Sequence, residues 1–287
     1  LLYYKKNNHL AKHLGVLMKV ALIQITSTLD PQVNLEKIQQ LIDEAKQEMD
    51  VEAVFLPEVF YSMSSGNEAT PYLVSKDNEH YKNIQNLAKR NNVYLLGATA
   101  ATANPDGEKV INRNYNFDPT GIELTHYDKM HLFSVDLSAH ESKTVLDEGR
   151  VYQCGNEPKL LDINEWRIGL GICFDLRFPE LYRHYFDQGA NLLTVASAFT
   201  VPTGKAHWEV LVRARAIENQ SYVIAANQWG DHNEKIKTYG HSLIVDPWGV
   251  VLADLGEKEG FAVCEILISE VDKVRARLNV KSKFKSI

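Results

Sequence analysis

Three residues of this 287-residue chain stand where a strand-like apolar run gives out, and each carries a side chain that can do chemistry. In Val54-Phe55-Leu56-Pro57-Glu58 the run stays apolar until a carboxylate arrives behind a proline that breaks the strand. Glu58 can therefore point into a crevice at the strand's carboxyl end. Lys129, in His126-Tyr127-Asp128-Lys129-Met130-His131-Leu132-Phe133, lies among aromatic and apolar neighbours, where a point charge could serve an anion or an oxyanion. Leu170-Gly171-Ile172-Cys173-Phe174-Asp175 puts a thiol at the end of an apolar strand, and Asp175 opens a turn toward a helix starting near 177–180. A strand-to-helix turn exposes a nucleophile and offers the next backbone N–H, that of Phe174, as an oxyanion donor, which is the geometry acyl transfer needs. The same residues also fit plainer roles: a surface-loop Glu, a solvated edge-strand Lys and an inert buried Cys.

The elements that must position them follow from hydrophobic period. From Met18 onward strand-like runs alternate with helix-like periodicity, the pattern of α/β layering. Strands are expected at 20–25, 51–56, 93–99, 192–196 and 222–226. Residues 32–49 place Val33, Leu35, Ile38, Leu41, Ile42 and Ala45 on one helical face behind Pro31. Further helices are expected near 78–91 and 205–219, the latter with Val210, Leu211, Ala214 and Ile217 as a packing face for the core or a dimer contact. Asp118-Pro119-Thr120-Gly121 and Asp246-Pro247-Trp248-Gly249 each predict a hairpin turn. Proline sets φ at the second position, Asp bonds back to the turn and Gly takes a positive φ. The pair suggests two similar halves and antiparallel pairs among βα units, hence mixed sheets. No Gly/Ser/Pro-rich linker interrupts the alternation, so 18–287 reads as a single domain. Residues 1–17 have no apolar core long enough for a secretory signal and read as a leader outside the fold, with Met18 the natural start. His9 and His13 are discounted with them as metal ligands.

Composition narrows the partners. With 31 Lys+Arg against 37 Asp+Glu, a net charge of −6 and a pI near 5.9, the chain lacks the basic surface that nucleic acid or an acidic membrane requires. No run of about 18 apolar residues is present to span a bilayer. Cys154, Cys173 and Cys264 are odd in number and far apart, which leaves neither a disulfide framework nor a CxxC zinc site and points to a reducing, cytoplasmic compartment. Cys154 in a loop and Cys264 inside an apolar strand read as structural. No close His/Asp/Glu cluster has metal-ligand spacing. Gly169-Leu170-Gly171 lacks the third glycine of a dinucleotide loop, because position 174 is Phe. The expectation is a protein without metal or nucleotide cofactor.

Taken together, Leu56-Pro57-Glu58, Tyr127-Asp128-Lys129-Met130-His131-Leu132-Phe133 and Gly171-Ile172-Cys173-Phe174-Asp175-Leu176-Arg177-Phe178-Pro179-Glu180 resemble, in order and spacing, the three signatures of the nitrilase superfamily of carbon–nitrogen hydrolases. The similarity runs from Met18 to about residue 280. It implies a four-layer α-β-β-α sandwich with two mixed sheets, a homodimer or larger homo-oligomer, and a Glu-Lys-Cys catalytic set supported by a second Glu. Carried onto this sequence, it makes Glu58 the general base, Cys173 the nucleophile, and Lys129 with the Phe174 N–H the oxyanion site. Glu141, in Glu141-Ser142-Lys143-Thr144, would be the second Glu that orients Lys129 or helps bind substrate. The types make chemical sense: a free thiol, with a pKa of about 8.5, is mostly protonated at neutral pH and needs a nearby base.

Within that superfamily, Ala206-His207-Trp208-Glu209, Arg213-Ala214-Arg215-Ala216-Ile217-Glu218-Asn219 and Tyr239-Gly240-His241-Ser242 look most like the deaminated glutathione amidases, with the ω-amidases sharing most of the pattern. Substrates of that kind are small 2-oxo-acid amides, whose carboxylate calls for a cation. Arg177, four residues beyond Cys173 at a helix start, offers a bidentate fork; a salt bridge to Glu180 or another buried carboxylate is its other reading. His207 is placed on a helix lining or supporting the pocket, and a papain-like pairing of His207 or His241 with Cys173 is the alternative base. A catalytically silent binding module of the same fold is a further alternative, opposed by the presence of all four family positions.

Overall fold

The computed structural model describes residues 16–66, 68–76, 78–136 and 145–280. In chain order the first half is β1 (Leu17–Gln24), α1 (Pro31–Glu48), β2 (Ala53–Phe55), α2 (Glu79–Asn91), β3 (Tyr94–Thr102), β4 (Val110–Phe117) and β5 (Glu123–Asp128). The second half is β6 (Leu160–Ile163), β7 (Trp166–Ile172), α3 (Pro179–Asp187), β8 (Leu192–Ser197), α4 (Val201–Asn219), β9 (Tyr222–Asn227), β10 (Leu243–Val245) and β11 (Val251–Asp254). Strand β12 (Gly260–Leu267) and helix α5 (Ile268–Arg277) follow.

The strands form two large mixed sheets, ordered β12-β1-β2-β3-β4-β5 and β11-β10-β9-β8-β7-β6. In the first, β1, β2 and β3 are parallel, while β12, β4 and β5 run antiparallel to their neighbours. In the second, β7, β8 and β9 are parallel, while β6, β10 and β11 are antiparallel. The same sequence of directions occurs twice, so the chain is built as two similar halves. The Asp-Pro-x-Gly turns make the equivalent hairpin in each: Gly121 N–H bonds Asp118 O and Gly249 N–H bonds Asp246 O, both at 2.9 Å. Both glycines sit at positive φ, 86° and 90°, where a Cβ would be strained.

Alternation along a strand sends successive side chains to opposite faces, and in β1 this splits the chain between two cores. Val20 and Leu22 join the core that holds β7, β8 and β9, whereas Ala21 and Ile23 pack with Ile38 and Ile42 of α1 and Ile84 of α2. Helices α3 and α4 cover the far face of the second sheet, giving the α-β-β-α order of layers. No helix among the described residues is long and apolar enough to cross a membrane.

Three details depart from expectation. Strand β1 begins at Leu17, paired with Leu267, and the Val16 carbonyl accepts from Ile268 N at 3.2 Å, so the fold reaches into the segment assigned to a leader. Helix α4 starts at Val201, with a proline in its first turn, and buries Trp208, Val212 and Ala216. That i, i+4, i+8 row faces the sheet and leaves Val210 and Ile217 exposed at 69% and 49%. On α1 the inward row is Asn34, Ile38, Ile42 and Ala45, with Val33 outside it.

Helix α3 lies directly on β7 at its glycines. A Cβ on Gly169 would stand 2.5 and 2.7 Å from ring carbons of Tyr185, whose hydroxyl donates to Leu170 O at 2.7 Å and which cannot withdraw. Gly169→Ala is expected to destabilise the protein by about 1–3 kcal/mol through overpacking, seen as a lower urea midpoint at unchanged m-value. An unchanged midpoint would mean that α3 moves freely off the strand.

Candidate functional site

Each functional side chain emerges where a strand ends. Beyond β2, Leu56 N still bonds Leu96 O at 3.0 Å, and after Pro57 the chain crosses to the second sheet. Glu58 N donates to Ser197 O at 3.3 Å at the end of β8, and Glu58 O accepts from Gln228 Nε2 at 2.9 Å just past β9. The Glu58 backbone is thus tied to two strand ends of the opposite sheet.

Lys129 follows β5. Its N–H donates to Asn112 O at 3.0 Å and its carbonyl accepts from Gly155 N at 2.8 Å. The side chain is 0% exposed, and its Nζ lies 2.8 Å from Glu58 Oε1 and 2.7 Å from Glu148 Oε2. Glu148 opens a short 3-10 turn and exchanges bonds with Phe133: Phe133 N donates to Glu148 Oε2 at 2.8 Å, and Glu148 N donates to Phe133 O at 2.9 Å. Burial opposes the lysine charge, but Glu148 and Glu58 outweigh it and hold the Lys129 pKa well above its ordinary value. Glu148 is pushed up by burial and by Glu58, with Lys129 opposing. An ammonium has three donors, and three carboxylate oxygens surround this one, since Glu148 Oε1 also lies 2.9 Å from Nζ.

Cys173 is reached as β7 breaks into a 3-10 turn, Cys173–Arg177. Its φ of 45° is left-handed, a conformation that costs a residue with a Cβ on the order of 1–3 kcal/mol. Asp175 holds it there. The buried carboxylate accepts from Ile172 N and Tyr127 Oη on Oδ2, both at 2.8 Å, and from His131 N on Oδ1 at 3.0 Å, with His131 Nδ1 at 2.7 Å. Tyr127 and His131 flank Lys129, so one carboxylate fastens the cysteine turn to the lysine segment. Burial pushes the Cys173 thiol well up, Glu58 adds to this, and Lys129 and the Ala198 backbone N–H oppose it. The shift favours the neutral thiol over the thiolate.

Glu58, Asn112, Glu148, Cys173, Phe174 and Arg177 line one cavity of about 120 Å³, with Phe133, Phe199 and Ile236 among its apolar walls. The Arg177 guanidinium lies over the rings of Phe174 and Phe199, at 5.6 and 5.5 Å from their centroids, with Nη2 3.3 Å from His207 Nδ1. Among the described residues no carboxylate pairs with it, Glu180 included, and burial draws its pKa below the usual arginine value. His207 is exposed and stands behind Arg177, outside the cavity lining. His241 faces Asp254 at 3.1 Å and stacks on Tyr239, so neither histidine bonds Cys173. No group of three or more His, Cys, Asp or Glu among the described residues is placed to hold a metal ion.

Glu141 lies outside the described residues; among the described residues the second carboxylate that reaches Lys129 is Glu148. Two further residues escaped sequence reasoning. Asn112 donates from Nδ2 to Glu58 Oε1 at 2.8 Å, and Asp175 acts as a clamp as well as a turn former. A signal for the first was present: Asn112, Asn114 and Asn116 alternate along β4 on one buried face, an unusual run of amides for a core.

Comparison with known proteins is consistent with this geometry. The carbon-nitrogen hydrolase family model matches residues 19–277. The deaminated glutathione amidase of Dictyostelium discoideum is 41% identical over 249 residues, 83% of this chain and 84% of that protein. The human omega-amidase NIT2 is 33% identical over 262 residues, 91% of this chain and 93% of its own. The crystal structure of Saccharomyces cerevisiae Nit3, a member of branch 10 of the nitrilase superfamily, superposes with a TM-score of 0.81 at 29% identity, covering 94% of this chain and 97% of that one.

The Asp175 clamp can be tested directly. An amide at this position offers one acceptor oxygen and turns an NH2 toward groups that donate, so Asp175→Asn is expected to cost about 2–4 kcal/mol of stability by urea unfolding. It also frees the strained turn, so carboxamidomethylation of Cys173, followed by peptide mass, should change in rate. A variant as stable as the parent would show that the contacts do not hold the turn.

Proposed function

The chain belongs to the carbon–nitrogen hydrolase family and acts on amides, and from that premise we propose that it cleaves a small 2-oxo-acid amide through a thioester on Cys173, with deaminated glutathione the preferred substrate. The observation that carries this reading is the convergence of Glu58 and Cys173 on one cavity, with Lys129 buried against Glu58, and a cation in that cavity, Arg177, that has no carboxylate partner among the described residues.

The neutral thiol gives its proton to Glu58 as sulfur attacks the amide carbon. Negative charge develops on the carbonyl oxygen, and two groups answer it: the Lys129 ammonium, by its charge, and the Phe174 backbone N–H. The latter stands at the start of the 3-10 turn, where an N–H has no carbonyl of its own turn to bond. Collapse expels the amine, which takes the proton from Glu58, and leaves the acyl group on sulfur. Water activated by Glu58 then hydrolyses the thioester and Cys173 recovers its proton. Glu148 holds Lys129 in place through both half-reactions. Arg177 binds the carboxylate of the acyl group with its guanidinium fork, and His207 steadies the guanidinium from outside.

A second reading, an ω-amidase acting on 2-oxoglutaramate, draws on the same acyl half and differs only in the amine that leaves. We further propose a homodimer. The exposed Ile217 lies against Gly249 of the second hairpin, whose Trp248 and Val250 are also exposed, and exposed Val210 lies two turns away on α4, apolar surface suited to a second copy. Light scattering returning a monomer mass would overturn that. The free state of Cys154, Cys173 and Cys264 supports a cytoplasmic setting.

Steady-state hydrolysis of deaminated glutathione beside 2-oxoglutaramate tests the function. Cys173→Ala is expected to abolish turnover of both, and a large kcat/KM advantage for the first substrate supports the leading reading, whereas preference for the second moves the enzyme to the ω-amidases. Arg177→Ala should lower kcat/KM about 10–100-fold, the worth of a charged hydrogen bond, and much less for a neutral aliphatic amide. Equal losses on both would remove Arg177 from carboxylate binding.

A further inference from the structure

We propose that Asn112 is a positioning residue that selects Oε2 of Glu58 as the oxygen that carries the proton. The two oxygens of Glu58 are not equivalent. Oε1 accepts from Lys129 Nζ and from Asn112 Nδ2, both at 2.8 Å, whereas among the described residues no hydrogen bond reaches Oε2. A carboxylate oxygen that accepts two strong donors is the less basic of the pair, so a proton taken from sulfur goes to the other. The orientation of the amide is fixed by chemistry: the group it faces only accepts, so nitrogen must point at Glu58. Its Oδ1 is buried with no hydrogen-bond partner.

Asn112 also acts through its backbone, because its carbonyl accepts the Lys129 N–H at 3.0 Å. One residue of β4 therefore sets the base and the ammonium in a common frame: the side chain holds the first and the main chain the second. Neighbouring Asn116 makes its contacts to Gly97 N and Thr125 O, so of these two amides only Asn112 reaches the base. The inference rests on the reading of Glu58 as base to Cys173 and is independent of which amide is the substrate.

The test uses Asn112→Ala and the near-isosteric Asn112→Asp, with Glu58→Gln as reference and thermal unfolding as a check on folding. Two pH profiles are read: kcat/KM for deaminated glutathione, and the rate of Cys173 alkylation by iodoacetamide, located by peptide mass. Losing a donor to the carboxylate favours its protonated form, so the acid limb of both profiles should move to higher pH in Asn112→Ala. It should move further in Asn112→Asp, where a second carboxylate faces the first. In both variants kcat is expected to fall about tenfold with KM within twofold. An acid limb unmoved in both variants, with Glu58→Gln still suppressing alkylation, would overturn the role of Asn112 alone. Alkylation indifferent to Glu58→Gln would overturn the base itself and the proposal with it.

Discussion

The fully buried ammonium of Lys129, held between the carboxylates of Glu58 and Glu148, is the interaction on which the rest of the site depends. Removing an ammonium from water costs several kcal/mol, and the cost is met only when opposite charges meet it at hydrogen-bond distance in fixed geometry. The fold must therefore deliver three segments distant in sequence to one point. Glu58 comes from the end of β2, Lys129 from the end of β5 and Glu148 from a turn beyond, and none can be displaced without leaving a buried charge unmatched. Burial, and after it the neighbouring Glu58, push the Cys173 thiol well up and so favour its neutral form. On the proposed mechanism the thiolate would form only as its proton leaves for Glu58, which couples attack to proton transfer.

The doubled architecture explains how so many strand ends meet. Each half contributes parallel strands whose carboxyl ends open toward the other, and the hydrogen bonds from Glu58 to Ser197 and Gln228 run between the sheets. Asp175 adds the remaining constraint, since the positive φ of Cys173 persists only if its surroundings over-determine it. The four contacts of Asp175, two to the lysine segment's side chains, supply that. This gives a physical reason for Tyr127, His131 and Asp175 in the two signature segments: none needs to touch substrate, and together they fix the distance between the lysine and the thiol.

What was legible in the sequence was whatever produced a local contradiction. A carboxylate behind Pro57, a lysine amid aromatic residues and a thiol ending an apolar run each broke a pattern, and the hairpins announced themselves by turn chemistry that permits few alternatives. Glu148 broke nothing, because Asp147-Glu148-Gly149 reads as an ordinary polar turn and its partner Phe133 is fixed only by tertiary pairing. The core-facing row of helix α4 was not legible for a related reason. Its apolar residues occupy two faces, and only the sheet beneath decides that Trp208, Val212 and Ala216 go inward. Asn112 shows the limit from the other side, since its pattern was visible but its meaning required the position of Glu58.

Arg177 is a different kind of contradiction, visible only in three dimensions. A guanidinium partly removed from water between two phenyl rings gains some cation–π attraction, yet keeps no carboxylate partner among the described residues while Glu180 lies three residues away. Burial lowers its pKa, which measures the cost of holding that charge there. A chain stabilised for folding alone would pair or replace it. On the proposed reading, the free energy withheld from folding would become available when the substrate carboxylate enters the cavity, close to the sulfur, and would orient the amide carbon for attack. On that reading specificity and catalysis share one site, where among the described residues Arg177 has no carboxylate partner and Oε2 of Glu58 accepts no hydrogen bond.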